Sequence, residues 1–376
     1  MNDRHVLAER GPYRIELFRP EMFNGMASVL GHLLGPDGHR AGDYLRWKHL
    51  DYPSGEDPIL LAVTCGERSD VVGMNGFLPM MWSDGAAEKG ARLACWADFI
   101  IHPEHQRRGL GSLLLSETMK VLERRGFVAA ISFSQNPVST KLSLGLGWKP
   151  VGPATCARLV PPPQESGLSV VQWYRGSVAG RAVRLLKRRL GGGPKSVFAQ
   201  FDRRRPSQHT DSSIEPRPGA MAILEGATGA NGRLRLLRTK EYFSWRFRNP
   251  ISRYRFLYLS RGDQLKGYLV LQEFLTRARG RAVVLDLKAG DPGTAVELIQ
   301  SAMRQGGFRN MYMLAECVEP EVRGYLIDAG FTLEGPKNQV PSLIVKPLNT
   351  EPGGLSNRVL SSLNSWHFHL IDSDAF

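Results

Sequence analysis

Two copies of one pattern run through this chain, and the repeat limits its fold more than any other feature. Tyr44 opens "YLRWKHLDYPSG" and Tyr242 opens "YFSWRFRNPISRY". Each reads Tyr-x-x-Trp followed by Lys or Arg, with a proline shortly after: Trp47 and Pro53 in the first, Trp245 and Pro250 in the second. Apolar strand pairs come next, "ILLAVT" with "VVGMNGFLPMMW" and "YRFLYLS" with "LKGYLVLQEF", with Gly73 and Gly267 at matching places. The segments "RLACWADFIIHP" and "RAVVLDLKAGDP" then align Asp98 with Asp286 and Pro103 with Pro292. A helix follows in both copies. Leu115, Met119 and Leu122 recur at i, i+4 and i+7, as do Ala295, Ile299 and Ala302, the apolar stripe of an amphipathic helix. Both helices end on Gly-Phe (126–127 and 307–308), where glycine takes a left-handed cap without a Cβ penalty. One more strand ("VAAISF", "NMYMLAE") and a short helix ending in Gly-aromatic close each copy.

At 376 residues, two domains are expected. The sequence divides into a first unit over 1–162, a Pro, Gly and Arg-rich connector over 163–232, a second unit over 233–348 and a tail over 349–376. Hydrophobic content of 42% and charged content of 23% give each unit enough apolar surface for a core. No apolar run reaches the roughly 18 residues that span a bilayer. The start, "MNDRHVLAERGPYR", has no signal-peptide apolar stretch, so a cytoplasmic protein is expected. Cys65, Cys95, Cys156 and Cys317 are too scattered for a disulfide framework or a cysteine zinc site, and no metal is expected. The net charge of +13 favours anionic partners. Much of it lies in the connector, where "VAGRAVRLLKRRL" puts Val178, Ala182, Leu186 and Leu190 on one face. A docked helix with solvated arginines is expected there, with a membrane-surface or nucleic-acid-binding helix the alternative.

The residues before the first amphipathic helix, "HPEHQRRGLGS" (102–112), make an anion site. Amide groups of a first helical turn lack intrahelical acceptors, and the helix dipole adds positive character. Gly109 and Gly111 allow close backbone approach, while Arg107 and Arg108 add charge. Neither a Walker loop nor a dinucleotide fingerprint fits, because Gly-Lys-Ser/Thr and a third glycine are missing. The pattern that fits is Gln106-x-x-Gly109-x-Gly111 after an apolar-x-Pro strand end. It resembles the acyl-CoA loop of the GCN5-related N-acetyltransferase (GNAT) family. Asn136, at the head of "NPVSTKLSLGLGW", resembles the family's Asn-led helix, whose Gly-aromatic ending is Gly147-Trp148.

That resemblance implies a mixed α/β fold of two tandem GNAT-like domains, each with a mostly antiparallel central sheet that splays open beside the loop. It implies acetyl-CoA or another acyl-CoA as co-substrate, with the pyrophosphate on backbone of Arg107, Arg108, Gly109, Leu110, Gly111 and Ser112, next to Gln106. Phe99, Ile100 and Ile101 would flank the pantetheine, and Asn136 would bond it. Direct transfer of the acyl group to an amine of a small molecule or amino sugar is the implied reaction. Where the family commonly has an acidic tyrosine, this chain has Ser143, a poor acid and a short one. For the base, Asp98, His102, Glu104 and His105 are candidates; Asp98 recurs as Asp286 and so reads equally as structural. The second copy has Asp291 and one glycine, Gly293, at the loop position, so acyl-CoA is expected in the first copy alone. A tRNA-dependent aminoacyl or peptidyl transferase, and a non-catalytic CoA-binding protein, are the alternatives.

Overall fold

Runs such as "ILLAVT" and "RFLYLSR" are rich in residues that suit pleated strands, and they assemble into two separate sheets. The computed structural model describes residues 5–66, 69–85, 90–133, 136–153, 156–159, 210–227, 232–274, 281–305, 310–315, 318–334, 342–349, 355 and 357–373. The connector helix expected near 178–190 and Cys317 lie outside them. Numbered in chain order, the first sheet lines up β1 (Val6–Arg10), β2 (Tyr13–Leu17), β3 (Ile59–Cys65), β4 (Asp70–Ser83), β5 (Ala91–Ile101), β6 (Ala129–Ser132), β16 (Ser342–Pro347) and β7 (Lys149–Pro153). A short β10 (Arg235–Leu236) pairs with the far end of β4. The second sheet runs β15 (Thr332–Glu334), β8 (Cys156–Leu159), β14 (Asn310–Leu314), β13 (Arg281–Ala289), β12 (Gln264–Phe274), β11 (Ser252–Arg261) and β9 (Thr210–Ser213). In each sheet one pair is parallel, β5–β6 and β13–β14; the others are antiparallel. The mixed α/β tandem architecture is therefore as expected.

The sheets exchange a strand. β16, from the second half, lies between β6 and β7, with Ile344 opposite Ser132 on one side and Pro150 on the other. β8, from the first half, lies between β14 and β15, with Ala157 opposite Met313 and Leu333. Boundaries at 162 and 348 thus divide the sequence but not the sheets. An apolar strand with neighbours on both sides is the physical reason: Leu343, Ile344 and Val345 are all buried.

Helices cover the outer faces. α3 (Leu110–Arg124) lays Leu115, Met119 and Leu122 against Ile59, Phe77 and Ala130 of the first sheet, with α4 (Pro137–Gly145) beside it. The equivalent helix of the second copy, Pro292–Gln305, lays Ala295, Ile299 and Ala302 against Leu257, Leu269 and Val284. The inner faces share one continuous core with α1 (Phe23–Leu34), α2 (Ala41–Leu45) and the helix Lys240–Arg246.

At the centre of that core the two repeated tryptophans meet. The rings of Trp47 and Trp245 stack at 5.2 Å and 10°. Trp47 Nε1 donates to the carbonyl of Trp245 at 2.8 Å, and Trp245 Nε1 donates to the carbonyl of Trp47 at 2.6 Å. The tail is wedged between both halves: Trp366 packs on Trp82 at 5.1 Å, Phe368 on Phe133 at 5.0 Å, and Arg238 clamps Asp372 at 2.6 and 2.8 Å.

Residues 1–162 expressed alone lack β16, and β6 and β7 lose the strand between them; this fragment should be insoluble or unfolded by circular dichroism. In the full chain, Ile344→Ala should cost about 2–5 kcal/mol, and denaturant unfolding should lower the stability of both halves in one transition.

Candidate active site

The first sheet opens at one point. β5 pairs with β6 only through Leu93–Ala129, Ala94–Ala130 and Cys95–Ile131. Beyond Cys95, β5 runs on to Ile101 and stays paired with β4, where Asn75 faces Phe99 and Gly73 faces Ile101. A bulge marks the divergence: between Asn75 and Phe77 β4 has one residue, and opposite them β5 has Ala97 and Asp98. Backbone of Phe99, Ile100 and Ile101 on the β6 side therefore faces the open slot. Trp96 Nε1 donates to Asn75 Oδ1 at 2.6 Å, and Asn75 Nδ2 donates to Thr118 Oγ1 at 2.8 Å. This buried amide, which no sequence signal marked, ties α3 to the sheet beneath the slot.

At the mouth of the slot the loop turns tightly. Arg107 has φ 59° and Gly109 has φ 74°, both left-handed. For a non-glycine residue that costs about 1–2 kcal/mol, so Arg107 is held by its surroundings. Gln106 Nε2 donates to the Ile101 carbonyl at 2.9 Å, and Arg108 donates to Tyr13 Oη at 2.7 Å and to the Glu104 carbonyl at 3.1 Å. Gly109 is the N-cap of α3 and offers no side chain to its amides. The amides of Leu110, Gly111 and Ser112 thus precede the first intrahelical bond, Leu113 N to Gly109 O. A Cβ at Gly109 would collide with the Arg10 guanidinium, and one at Gly111 would sit 3.1 Å from the Phe99 ring. Arg10 is a second contributor that the sequence did not reveal. Beside the loop lies a cleft of about 720 Å³, lined by Ser112, Pro137, Val138, Lys141 and Leu142.

The remaining expected residues take different places. Asn136 caps α4, its Oδ1 accepting from Val138 N at 2.9 Å. Ser143 is fully buried and donates to the Ser139 carbonyl at 2.9 Å, so its proton is committed within α4. Asp98 is 4% exposed, with Lys48 Nζ at 3.2 Å and His49 Nε2 at 2.8 Å. Burial alone would raise its carboxyl; the Lys48 charge and the His49 hydrogen bond outweigh that and hold it at about 2. A carboxylate so paired is a weak base, and Asp98 anchors the bulge. His102 lies seven residues past Cys95, roughly 20 Å along an extended strand, at the loop end of the slot with Glu104 and His105. At the inner end Cys95 is joined by Tyr52, whose hydroxyl is pushed well up by burial, with Cys95 and Asp372 nearby adding to the shift.

Residues 27–147 match the model of the acetyltransferase (GNAT) family. This domain belongs to that family. Solved structures similar to the whole chain include a GCN5-related N-acetyltransferase from Anabaena variabilis (12% identity, 90% of this chain and 73% of that one, TM-score 0.59). Another, from Kribbella flavida, shares 14% identity over 89% of this chain and 72% of that one at TM-score 0.52. A putative acetyltransferase from Pyrococcus horikoshii shares 10% identity over 93% and 94% at TM-score 0.53. At such identities the likeness is one of fold. No curated protein matches the sequence.

The second sheet repeats the GNAT layout with different chemistry. β13 pairs with β14 only from Arg281 to Val284, and a bulge precedes Asp286. Gly267, like Gly73, sits where a Cβ would collide, here with Thr294 at 2.7 Å. Where the first copy leaves its helix amides open, Asp291 accepts from Thr294 N at 2.9 Å and Thr294 Oγ1 at 2.8 Å. A protein carboxylate thus fills the anion position. Asp286 belongs to a buried cluster in which Arg238 bonds Asp286, Glu225 and Asp372. The adjoining cleft, about 1060 Å³, is lined by Lys288, Asp291, Arg323, His367 and His369 among others. Burial, helped by neighbouring cations, pushes His367 to about 2 and His369 to about 3, so both imidazoles are neutral.

The depressed Asp98 carboxyl stabilises the fold above its ordinary value of 3.8, and that stabilisation is lost as pH falls toward about 2. The expected size is about 2 kcal/mol. Chemical denaturation should show the wild type losing its advantage over Asp98→Asn between pH 4 and pH 2.

Proposed function

We propose that the chain is an acyl-CoA-dependent N-acyltransferase, acetyl-CoA being the donor, with a small-molecule amine or amino sugar as acceptor. The observation that carries this reading is the pairing of an uncapped α3 N-terminus with a slot that opens beyond Cys95 and Ile131. GNAT proteins generally take an acyl-CoA as co-substrate. In the first domain the pyrophosphate would rest on amides of Leu110, Gly111 and Ser112, with Arg10 and Lys141 adding positive charge. Backbone of Phe99 to Ile101 would pair with the pantetheine in place of the missing strand neighbour. The thioester would then lie near Cys95, beside Tyr52, Phe133 and Phe368.

In the reaction the amine nitrogen attacks the thioester carbonyl carbon, the C–S bond breaks, and the ammonium proton is lost to solvent. Ser143 does not suit the acid role, since its hydrogen already bonds Ser139. Tyr52 stays protonated, and we assign its hydroxyl to donate a hydrogen bond to the leaving sulfur, the thiolate taking its proton from solvent. A thiolate leaves readily near its own pKa of about 8.5, so the gain from Tyr52 is expected to be modest. The second domain, with Asp291 on its helix amides, would shape the acceptor side rather than hold CoA.

Acetyl-CoA should raise the melting temperature of the purified chain and bind with one equivalent by calorimetry. Gly111→Asp places a carboxylate against Phe99 and the phosphate position and should abolish both effects. With a panel of amines, Tyr52→Phe should lower kcat roughly ten- to a hundredfold without loss of acetyl-CoA binding. Binding without turnover of any amine would favour the non-catalytic reading, which the buried, committed Ser143 supports. A salt-sensitive shift with tRNA in place of acetyl-CoA binding would favour the tRNA-dependent one.

A further inference from the structure

We propose that His102, Glu104 and His105, with His32 alongside, form a zinc-binding site on the outer rim of the phosphate loop. The scattered cysteines gave no reason to expect a metal, but His102, Glu104 and His105 stand together in one short loop and the fold brings His32 of α1 against them. One donor atom from each of His102, Glu104 and His105 lies within 4.8 Å of the others. Among the described residues this is the single group of three or more such ligands so placed. From α1, the His32 ring meets the His102 ring edge-on at 4.7 Å, and the His102 and His105 rings are 5.9 Å apart.

Tetrahedral ligands about 2.1 Å from zinc stand roughly 3.4 Å apart. Closing the group on an ion therefore takes side-chain movements of about an ångström, which the exposed Glu104 can make. A ligating imidazole commonly hands its other nitrogen to an oxygen, which fixes the ring. His105 Nδ1 is 3.1 Å from Tyr13 Oη, and that oxygen also accepts from Arg108 at 2.7 Å. Tyr13 can accept both, leaving His105 Nε2 for the metal. The mixed nitrogen and oxygen donor set suits zinc or cobalt rather than magnesium or calcium, which prefer oxygen alone. Because His32 of α1 packs edge-on against the His102 ring, a bound ion would brace the loop against α1 through that contact. The arginines beside the loop oppose a cation, so the affinity should be modest and strongly pH-dependent.

The test uses the full chain stripped with a chelator and titrated with zinc by calorimetry, and with cobalt by visible absorption. One saturable equivalent of zinc and the visible bands of tetrahedral cobalt are expected. The variant His102→Asn with His105→Asn should lose at least tenfold in zinc affinity, and Tyr13→Phe should lose roughly tenfold. His102 and His105 are half-buried and Tyr13 is buried, so unchanged melting temperatures in chelator are the check that the variants fold. Absence of saturable zinc binding in the wild type overturns the proposal. So does zinc binding that survives unchanged in the double variant, since the ion then lies elsewhere. Neither readout depends on acetyl-CoA, so this outcome and that of the acyltransferase test are separable.

Discussion

The reciprocal contact between Trp47 and Trp245 is the joint on which the rest of the molecule depends. Each indole stacks on the other and donates to the other's backbone carbonyl, so neither copy can bury its own tryptophan without its counterpart. Stacking of this kind contributes about 0.5–1.5 kcal/mol beyond area burial. Leaving either buried indole N–H without an acceptor costs about 1–3 kcal/mol more. The strand exchange extends the same logic to the backbone, because β16 and β8 complete the sheet of the opposite half.

This joint has a consequence for the site. The slot in the first sheet opens beside Cys95, with Tyr52 near it in the core that both halves share. Tyr52 packs edge-on against Trp245 at 4.7 Å, and Phe368 comes from the tail. The tyrosine at the inner end of the first copy's slot is therefore backed by a ring of the second half. A single copy would carry the loop but not the wall that faces it.

The two copies also show how one geometry tolerates different chemistry. Both have a bulge next to a buried aspartate, yet Asp98 is paired with Lys48 and His49, and Asp286 with Arg238 and Tyr268. Both have a helix opening at the end of the central strand. In one the cap is Gly109, without a side chain, and in the other Asp291 bonds the first turn. A glycine against an aspartate at this point separates an open anion site from a filled one.

Much of this was legible in the sequence because it is local. Periodicity gave α3 and its counterpart, the repeat gave two sheets, and the Gln-x-x-Gly-x-Gly loop gave the open helix end. Pairing of the carboxylates was not legible: Lys48 and His49, which turn Asp98 from a possible base into a paired anchor, lie about fifty residues away along the chain. Arg10, Asn75, Tyr52 and the approach of His32 to His102 are invisible for the same reason. The sequence by itself determined the elements and the loop, since helix caps and strand patterns depend on neighbours a few residues away. Only the tertiary structure decided which strand completes which sheet, which charges are cancelled and which half closes the slot, because burial and pairing are properties of residues distant in the chain.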